Sequence, residues 1–389
     1  MLKDQPVSVL GAGIGGLTTA LALARHGARV QVLEQAREIS ELGAGLQITP
    51  NGVAVLNALG LGDELRRIAV SPSSIRLRSY RDGGCVLRLD LARFGEDRGY
   101  YLVHRADLVE MLGRAAVSAG ISFRFAHQAT QVRETDKGVD VRFVGGGHET
   151  FALMIAADGL HSKLRPALNG ASEPFFTGHV AWRATVPNTG AARGGISVFM
   201  GPGSHLVCYP LRANALINIV AVVETGVWSA EGWHHPGDPE EMRRAFSGYC
   251  AEVRALLKQV ETVNKWGLFR HPVARRWFGE HSALVGDAAH PTLPFLAQGA
   301  NMALEDAWVL ADCLAHQPRS EALSAYQRRR QPRVGKVLAA ANANARAFHL
   351  RNPALRGVAH SVLRVAGRLG PDMMNRRFDW VYRHDVTRG

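Results

Sequence analysis

The stretch from Val7 to Glu34 constrains this chain more than any other. It reads Val7-Ser8-Val9-Leu10, then Gly11-Ala12-Gly13-Ile14-Gly15-Gly16, then an Ala/Leu-rich run from Leu17 to His26, then Gly27, then Val30-Gln31-Val32-Leu33-Glu34. The order is strand, glycine turn, helix, glycine stop, strand, with the Gly-x-Gly-x-x-Gly fingerprint of a dinucleotide-binding unit. Gly11 permits the tight turn, Gly13 lets backbone N–H groups approach a pyrophosphate, and Gly16 lets the helix pack on the strand with its N-terminus facing the phosphates. Ile14 and Gly15, in the same turn, are expected to contact the dinucleotide as well. Glu34 closes the second strand, where a carboxylate can hydrogen-bond a ribose diol, with Gln35 beside it as a further cofactor contact. The alternative is a tight βαβ turn with no ligand. A secretory leader is not expected, because glycines interrupt the apolar run and Lys3 is offset by Asp4.

A chain of 389 residues, 47% hydrophobic and 21% charged, is long enough for two sizeable cores. No uninterrupted apolar run reaches the length of a membrane-spanning helix, so an integral membrane protein is not expected. Cys85, Cys208, Cys250 and Cys313 have neither metal-ligand nor paired spacing, which fits buried thiols in a reducing cytoplasm and no metal site. The net charge of +12 is concentrated at the C-terminal end: residues 328–389 carry 14 Lys/Arg against Asp372, Asp379 and Asp385. This stretch lacks the interleaved aromatics of single-strand binders and any recognisable DNA-binding motif, so nucleic acid is not expected as a partner. A solvated helical face or an interface is the expectation, with weak attraction to anionic lipid as a minor alternative.

After Glu34, Gly43-Ala44-Gly45-Leu46-Gln47-Ile48-Thr49-Pro50 is glycine-rich and then strand-like. Gly45 and Gln47 are expected against a flat ligand, and a helix is expected through Val53 to Arg67. Alternating strands follow between residues 71 and 99 around Asp82-Gly83-Gly84, the first piece of an antiparallel layer. Arg105 stands at a strand-to-helix junction, placed to meet a phosphate or ring edge, and Asp107 can cap the helix or pair with Arg105. Leu153 to Ala157 is an apolar strand that delivers Asp158 at its carboxyl end, where open α/β sheets bind ligands, with Ser162 and Arg165 at the next helix start. From residue 178 to 263 the chain returns to strands that read as one wall of a pocket, followed by a helix over Glu240 to Tyr249. His205 and Tyr209 lie on one of these strands.

The second strong motif runs from Ala283 to Ala307. An apolar strand delivers Asp287 at its end, a proline-bounded loop crosses the sheet mouth, and Gly299-Ala300-Asn301 opens a long helix. Free N–H groups and the positive dipole end there would stabilise negative charge on a ligand. His290 reads as a loop-shaping residue before Pro291. The tail from Gln331 shows helical stretches over Ala339 to Phe348 and Val358 to Leu369 and is taken as a cap or homodimer contact.

Three segments occur together in the order and spacing of the class A flavoprotein aromatic hydroxylases: Gly11-x-Gly13-x-x-Gly16 with Glu34, Asp158-Gly159-x-x-Ser162-x-x-Arg165, and Gly286-Asp287-Ala288-x-His290-x-x-x-Pro294. The resemblance covers nearly the whole chain. Through His104-Arg105-Ala106-Asp107-Leu108, Ala181-Trp182-Arg183 and Leu296-Ala297-Gln298-Gly299-Ala300-Asn301 the chain most resembles the salicylate hydroxylase and 3-hydroxybenzoate 6-hydroxylase branch. Ala156 stands where the family commonly has glycine, and Pro294 where this branch sometimes has a polar side chain.

The resemblance implies an α/β protein of the 4-hydroxybenzoate hydroxylase fold. A Rossmann-type, GR2-like FAD-binding domain (1–73, 100–177 and 276–335) would be interleaved with an antiparallel-sheet substrate domain (74–99 and 178–275), followed by C-terminal helices (336–389). It implies bound FAD, transient NADH or NADPH as co-substrate, and O2, with a flavin C4a-hydroperoxide hydroxylating a small phenolic or aromatic acid. Glu34 would hold the adenosine ribose, Arg105 the FAD chain and Asp287 the ribityl hydroxyls, while Asp158 and Arg165 would serve FAD and the nicotinamide. His205, with Tyr209 beside it, resembles the position that activates the phenol. A structural histidine is the competing reading. Two functional alternatives stay open: hydroxylation of a larger quinone-precursor or natural-product ring, and a flavin-binding redox sensor without turnover.

Overall fold

The computed structural model describes residues 2–39, 44–190, 194–232 and 235–388. Gly43, expected in the second glycine-rich turn, lies outside them. Five short strands form an all-parallel sheet in the order Ser282–Leu284, Met154–Ala156, Pro6–Leu10, Arg29–Leu33, Ser122–Arg124. Parallel strands of this kind are covered on both faces, which is why Val7, Val9, Ile155, Ala283 and Leu284 read as near-continuous apolar runs. The strands that deliver Glu34, Asp158 and Asp287 are thus members of one sheet, and the three acids leave it at its carboxyl edge.

The second layer is an eight-stranded sheet built from residues 74–90 and 175–270. Its pairs are antiparallel except for Gly195–Gly201 against Ser74–Ser79. Alternation along Phe175–Pro187 explains its position. Val180, Trp182, Ala184 and Val186 point into a second core with Met242, Phe246 and Val253, while Arg183 faces the opposite side. That opposite side faces the dinucleotide unit.

Several helices differ from the sequence expectation. The helix expected through Val53 to Arg67 is two, Pro50–Ala58 and Gly62–Ile68, broken where Gly60 adopts φ +78°. The helix expected over Glu240 to Tyr249 ends at Ala245, as Pro239–Ala245, and a further helix, Ala251–Lys258, follows beyond the expected span. The tail is more regular than it reads: one helix runs Arg319–Phe348 straight through Pro332 and across the boundary expected at residue 335. Buried ion pairs on both sides of the proline anchor it. Arg330 pairs with Glu305 and Asp306, and Arg333 with Glu305. Part of the C-terminal basic surplus is therefore core structure rather than a solvated face. Among the cysteines, Cys208, Cys250 and Cys313 are buried as expected and Cys85 is exposed, contrary to expectation. Among the described residues no helix is long and apolar enough to cross a membrane.

Candidate active site

The glycine turn is built as its sequence requires. Gly11 has φ +102°, and a Cβ there would lie 2.6 Å from the Ala157 carbonyl oxygen. A Cβ on Gly16 would fall 1.9 Å from the Gly11 oxygen, so the helix Ile14–Arg25 touches the strand it follows. Gly13 differs. A Cβ there would meet nothing within 4 Å, because that side faces a cavity. The helix it caps has no acid in its first turn and no side-chain cap, leaving its N–H groups for an anionic ligand. Glu34 fixes this loop from below, accepting from the N–H groups of Ala12 (2.7 Å) and Ala36 (2.8 Å).

The cavity measures about 290 Å³. Its wall brings together Gly13, Ile14, Gly15, Gly45, Gln47, Arg105, His205, Tyr209, Asp287, Gly299 and Ala300 from across the sequence. Gly11, Gly16, Glu34, Gln35, Asp158 and Asn301 lie outside that wall. Asn301 instead ties the helix start to the second glycine-rich segment: its side-chain amide donates to the Gln47 carbonyl and its oxygen accepts from Thr49 N–H, each at 2.9 Å. Arg165 is turned away, donating to the Pro272 and Ala288 carbonyls. Asp107 takes a bidentate bond from Arg212.

Asp287 lines the cavity, and Asp158 lies just outside its wall. Asp287 sits in the turn Gly286–Ala288 with its side chain exposed to the cavity, and desolvation by the protein around it pushes its carboxyl above the ordinary range despite His290 and Arg105. Behind it, Asp306 accepts from Gly286 N–H (3.0 Å), His290 and Arg330, so His290 does shape the loop, through a buried hydrogen bond. Asp158 accepts from Lys163 N–H at 2.7 Å, while its other oxygen is buried without a partner. Burial raises this carboxyl as well.

The sheet wall carries the candidate chemistry. His205, Val207 and Tyr209 alternate along Ser204–Leu211 and line the cavity together. Val207 is in register with Val220, and Val220 with Arg183, which places the guanidinium two strands away on the same face. Tyr209 packs so close to residue 45 that a Cβ there would fall 2.5 Å from its ring, which explains Gly45. Burial lifts the Tyr209 hydroxyl to about 12, against the opposing charge of Arg183. His205 is buried, and desolvation with His349 and His179 nearby holds it well below the usual histidine range.

Arg183 was legible only as part of a family motif, yet it is the most unusual group in the wall. Its Nη2 donates to the Gly45 carbonyl at 3.3 Å, its Nε is buried without a partner, and among the described residues no carboxylate pairs with it. His349, which bonds His205, carried no sequence signal, since 144 residues separate the two. His179, Glu224 and His349 form the one metal-capable cluster among the described residues, with ligand atoms within 4.8 Å of one another.

An open glycine face, two uncapped helix starts and an acid facing one cavity suit a dinucleotide that carries a flavin. This is the arrangement of a flavoprotein. Residues 4–341 match the FAD binding domain family. The chain is 38% identical to the 3-amino-4-hydroxybenzoate 2-monooxygenase PtmB3 of Streptomyces platensis, covering 88% of each chain. It is 34% identical to the 3-hydroxybenzoate 6-hydroxylase of Polaromonas naphthalenivorans, over 89% of this chain and 88% of that one. Its fold superposes on HpxO of Klebsiella pneumoniae complexed with FAD and uric acid with TM-score 0.83 at 28% identity, covering 95% of each chain. A salicylate hydroxylase substrate complex gives TM-score 0.83 at 25% identity, with 99% of this chain and 97% of that one covered. The chain belongs to the FAD binding domain family, within its aromatic hydroxylases, and is an FAD-dependent, NAD(P)H-using aromatic monooxygenase.

Proposed function

We propose that the substrate is a small phenolic or aromatic acid, held by its carboxylate at Arg183, with His205 accepting the phenolic proton and Tyr209 beside it. The observation that carries this reading is the enclosed guanidinium, which has no acidic partner among the described residues. Leaving a cation desolvated and unpaired is expensive, so a ligand that brings a carboxylate to it gains affinity. FAD, once reduced by NADH or NADPH, supplies the activated oxygen. His205 contributes a neutral imidazole at neutral pH, and taking the phenol's proton makes the ring electron-rich for oxygen transfer. Gly13, Gly15 and the start of the helix Gly299–His316 would face the cofactor, Asp287 its polyol, and Arg105 its phosphate or ring edge. Glu34, with Gln35 beside it, would hold the adenosine ribose.

The two relatives named above act on 3-amino-4-hydroxybenzoate and 3-hydroxybenzoate, single-ring acids that each carry a phenol. Arg183→Met tests the anchor. It is expected to retain FAD while losing about 100-fold in affinity for hydroxybenzoates, the scale of one buried charge pair. Loss of FAD with acid binding unchanged would instead assign Arg183 to the cofactor.

A second reading is favoured by one observation. A further cavity of about 170 Å³, walled by Ile75, Leu87, Ile196, Val198 and Phe348, adjoins the first and shares His205 and Gln47 with it. A larger ring would use both, and stimulation of turnover by extended phenols but not by hydroxybenzoates separates the two readings.

We also assign the protein to the cytoplasm, in keeping with its four unpaired cysteines. The helix Pro353–Leu369 exposes Leu355, Val358, Val362, Val365 and Leu369 as one stripe at alternating three- and four-residue spacing, and a second copy of the chain is the partner we assign to it.

A further inference from the structure

His205 does not end at the cavity wall. Its Nδ1 lies 2.6 Å from Nε2 of His349, the residue that caps the helix Arg319–Phe348. The other ring nitrogen of His349, Nδ1, lies 3.1 Å from Oε1 of Glu224, the last residue of the strand Leu216–Glu224. Oε2 of Glu224 accepts from Arg351 at 2.7 Å. Exposure rises along this row: the side chains of His349, Glu224 and Arg351 are 2%, 26% and 70% accessible. One line of hydrogen bonds therefore joins the cavity to solvent.

We propose that Glu224, acting through His349, sets the tautomer of His205 so that its Nε2 is the proton acceptor in the cavity, and that the same row carries the proton out. The proposal rests on the reading of His205 as the base. A carboxylate can only accept, so His349 must donate from Nδ1. Its Nε2 is then an acceptor, His205 donates from Nδ1, and the Nε2 lone pair of His205 is left for the substrate. The charges agree with this assignment. Burial lowers His349 to about 4 against the pull of Glu224, so both imidazoles are neutral near pH 7. Glu224 would be raised by burial, but Arg351 and His349 outweigh it and keep the carboxylate ionised.

The groups facing the pair from neighbouring elements are few. His179, in register with Glu224, has its Nε2 3.9 Å from Oε1, and its Nδ1 is engaged by Thr177. Phe295 and Phe348 pack on the His205 ring. These rings exclude water, so His205 gives up an acquired proton through His349.

The transfer balances. The phenolic O–H proton passes to Nε2 of His205, the Nδ1 proton of His205 to Nε2 of His349, and the Nδ1 proton of His349 to Oε1 of Glu224, which releases it to water. Both imidazoles finish neutral with the proton moved from Nδ1 to Nε2. A proton returned along the row when the product phenol forms restores them. Glu224 and His349 are thus positioning residues, while His205 touches the substrate.

Two measurements test this. In the FAD-loaded enzyme with 15N-labelled histidine, assigned through His205→Asn and His349→Asn, both rings should be protonated at Nδ1 and bare at Nε2. An Nε2–H tautomer at His205 would overturn the proposal. The second is the pH at which bound 4-hydroxy-3-nitrobenzoate turns to its coloured phenolate, read in variants that keep FAD and the parent melting temperature. Glu224→Gln and His349→Asn should raise it by about one pH unit or more, as His205→Asn does. A shift in His205→Asn alone would refute the row and leave His205 as the base. No shift in any of the three would remove His205 from that role.

Discussion

Nε of Arg330 donates to Oδ1 of Asp306 at 2.7 Å in a site where both side chains are almost wholly shielded from water. The same guanidinium reaches Glu305, and Asp306 in turn holds His290 and the Gly286 N–H beside Asp287. This cluster ties the helix Gly299–His316 to the helix Arg319–Phe348 and to the turn Gly286–Ala288 at once.

Removing Arg330 takes the shared cation from two buried carboxylates and leaves Glu305 to Arg333 and Asp306 to the His290 hydrogen bond. Arg330→Met is expected to destabilise the fold by about 3–5 kcal/mol. Urea denaturation followed by circular dichroism measures it, and a loss below about 1 kcal/mol would show that the cluster contributes little.

The pH dependence has a definite sign. Burial would raise both carboxyls, but His290 and Arg330 hold Asp306, and Arg330 and Arg333 hold Glu305, at about 2. Folded values below the unfolded ones mean stability that is complete above the ordinary carboxylate range and is lost as pH falls toward about 2. Melting temperature should therefore drop steeply below about pH 4.5, and the drop should be shallower in Asp306→Asn. Parallel acid profiles for the parent and variant would refute the assignment.

Gly13 and Gly16 separate fold from cofactor. A Cβ at Gly16 collides with the backbone of Gly11, so Gly16→Ala should cost stability and FAD together. At Gly13 the Cβ meets no protein atom and points into the cavity. Gly13→Ala should keep the melting temperature of the apoprotein and bind FAD at least about tenfold more weakly. Equal FAD affinity would place the pyrophosphate elsewhere.

The apolar stripe on Pro353–Leu369 gives a separate expectation. Val362→Glu should shift the protein toward monomer in sedimentation velocity without altering its FAD content. A parent that is already monomeric would exclude the contact.

Much of the cofactor side was legible because it is local. Gly11, Gly13 and Gly16 act within one turn, and Asp158 and Asp287 each follow an apolar strand directly, so spacing alone carried the geometry. Contact between distant residues leaves no such trace. Arg183, His349 and Glu224 become meaningful only when the antiparallel sheet and the long helix are packed; Arg183 was marked only by the Ala181-Trp182-Arg183 motif, and nothing local marks the other two. The helix Arg319–Phe348 was legible only from Ala339 for a related reason: the cost of Pro332 to a helix interior is intrinsic, whereas the Arg330 and Arg333 ion pairs that offset it come from the helix Gly299–His316. The break at Gly60 went the other way, a left-handed glycine inside a pattern whose apolar period never lapses.

The most direct measurement is oxidation of NADH and NADPH in air by the FAD-loaded protein, with a panel of hydroxybenzoates, hydroxypyridine acids and larger phenols and with hydrogen peroxide quantified in parallel. A small phenolic acid should stimulate oxidation with little matching peroxide and yield a hydroxylated product. Stimulation by none of the small acids, or oxidation matched mole for mole by peroxide with each of them, would contradict a small aromatic acid as the substrate.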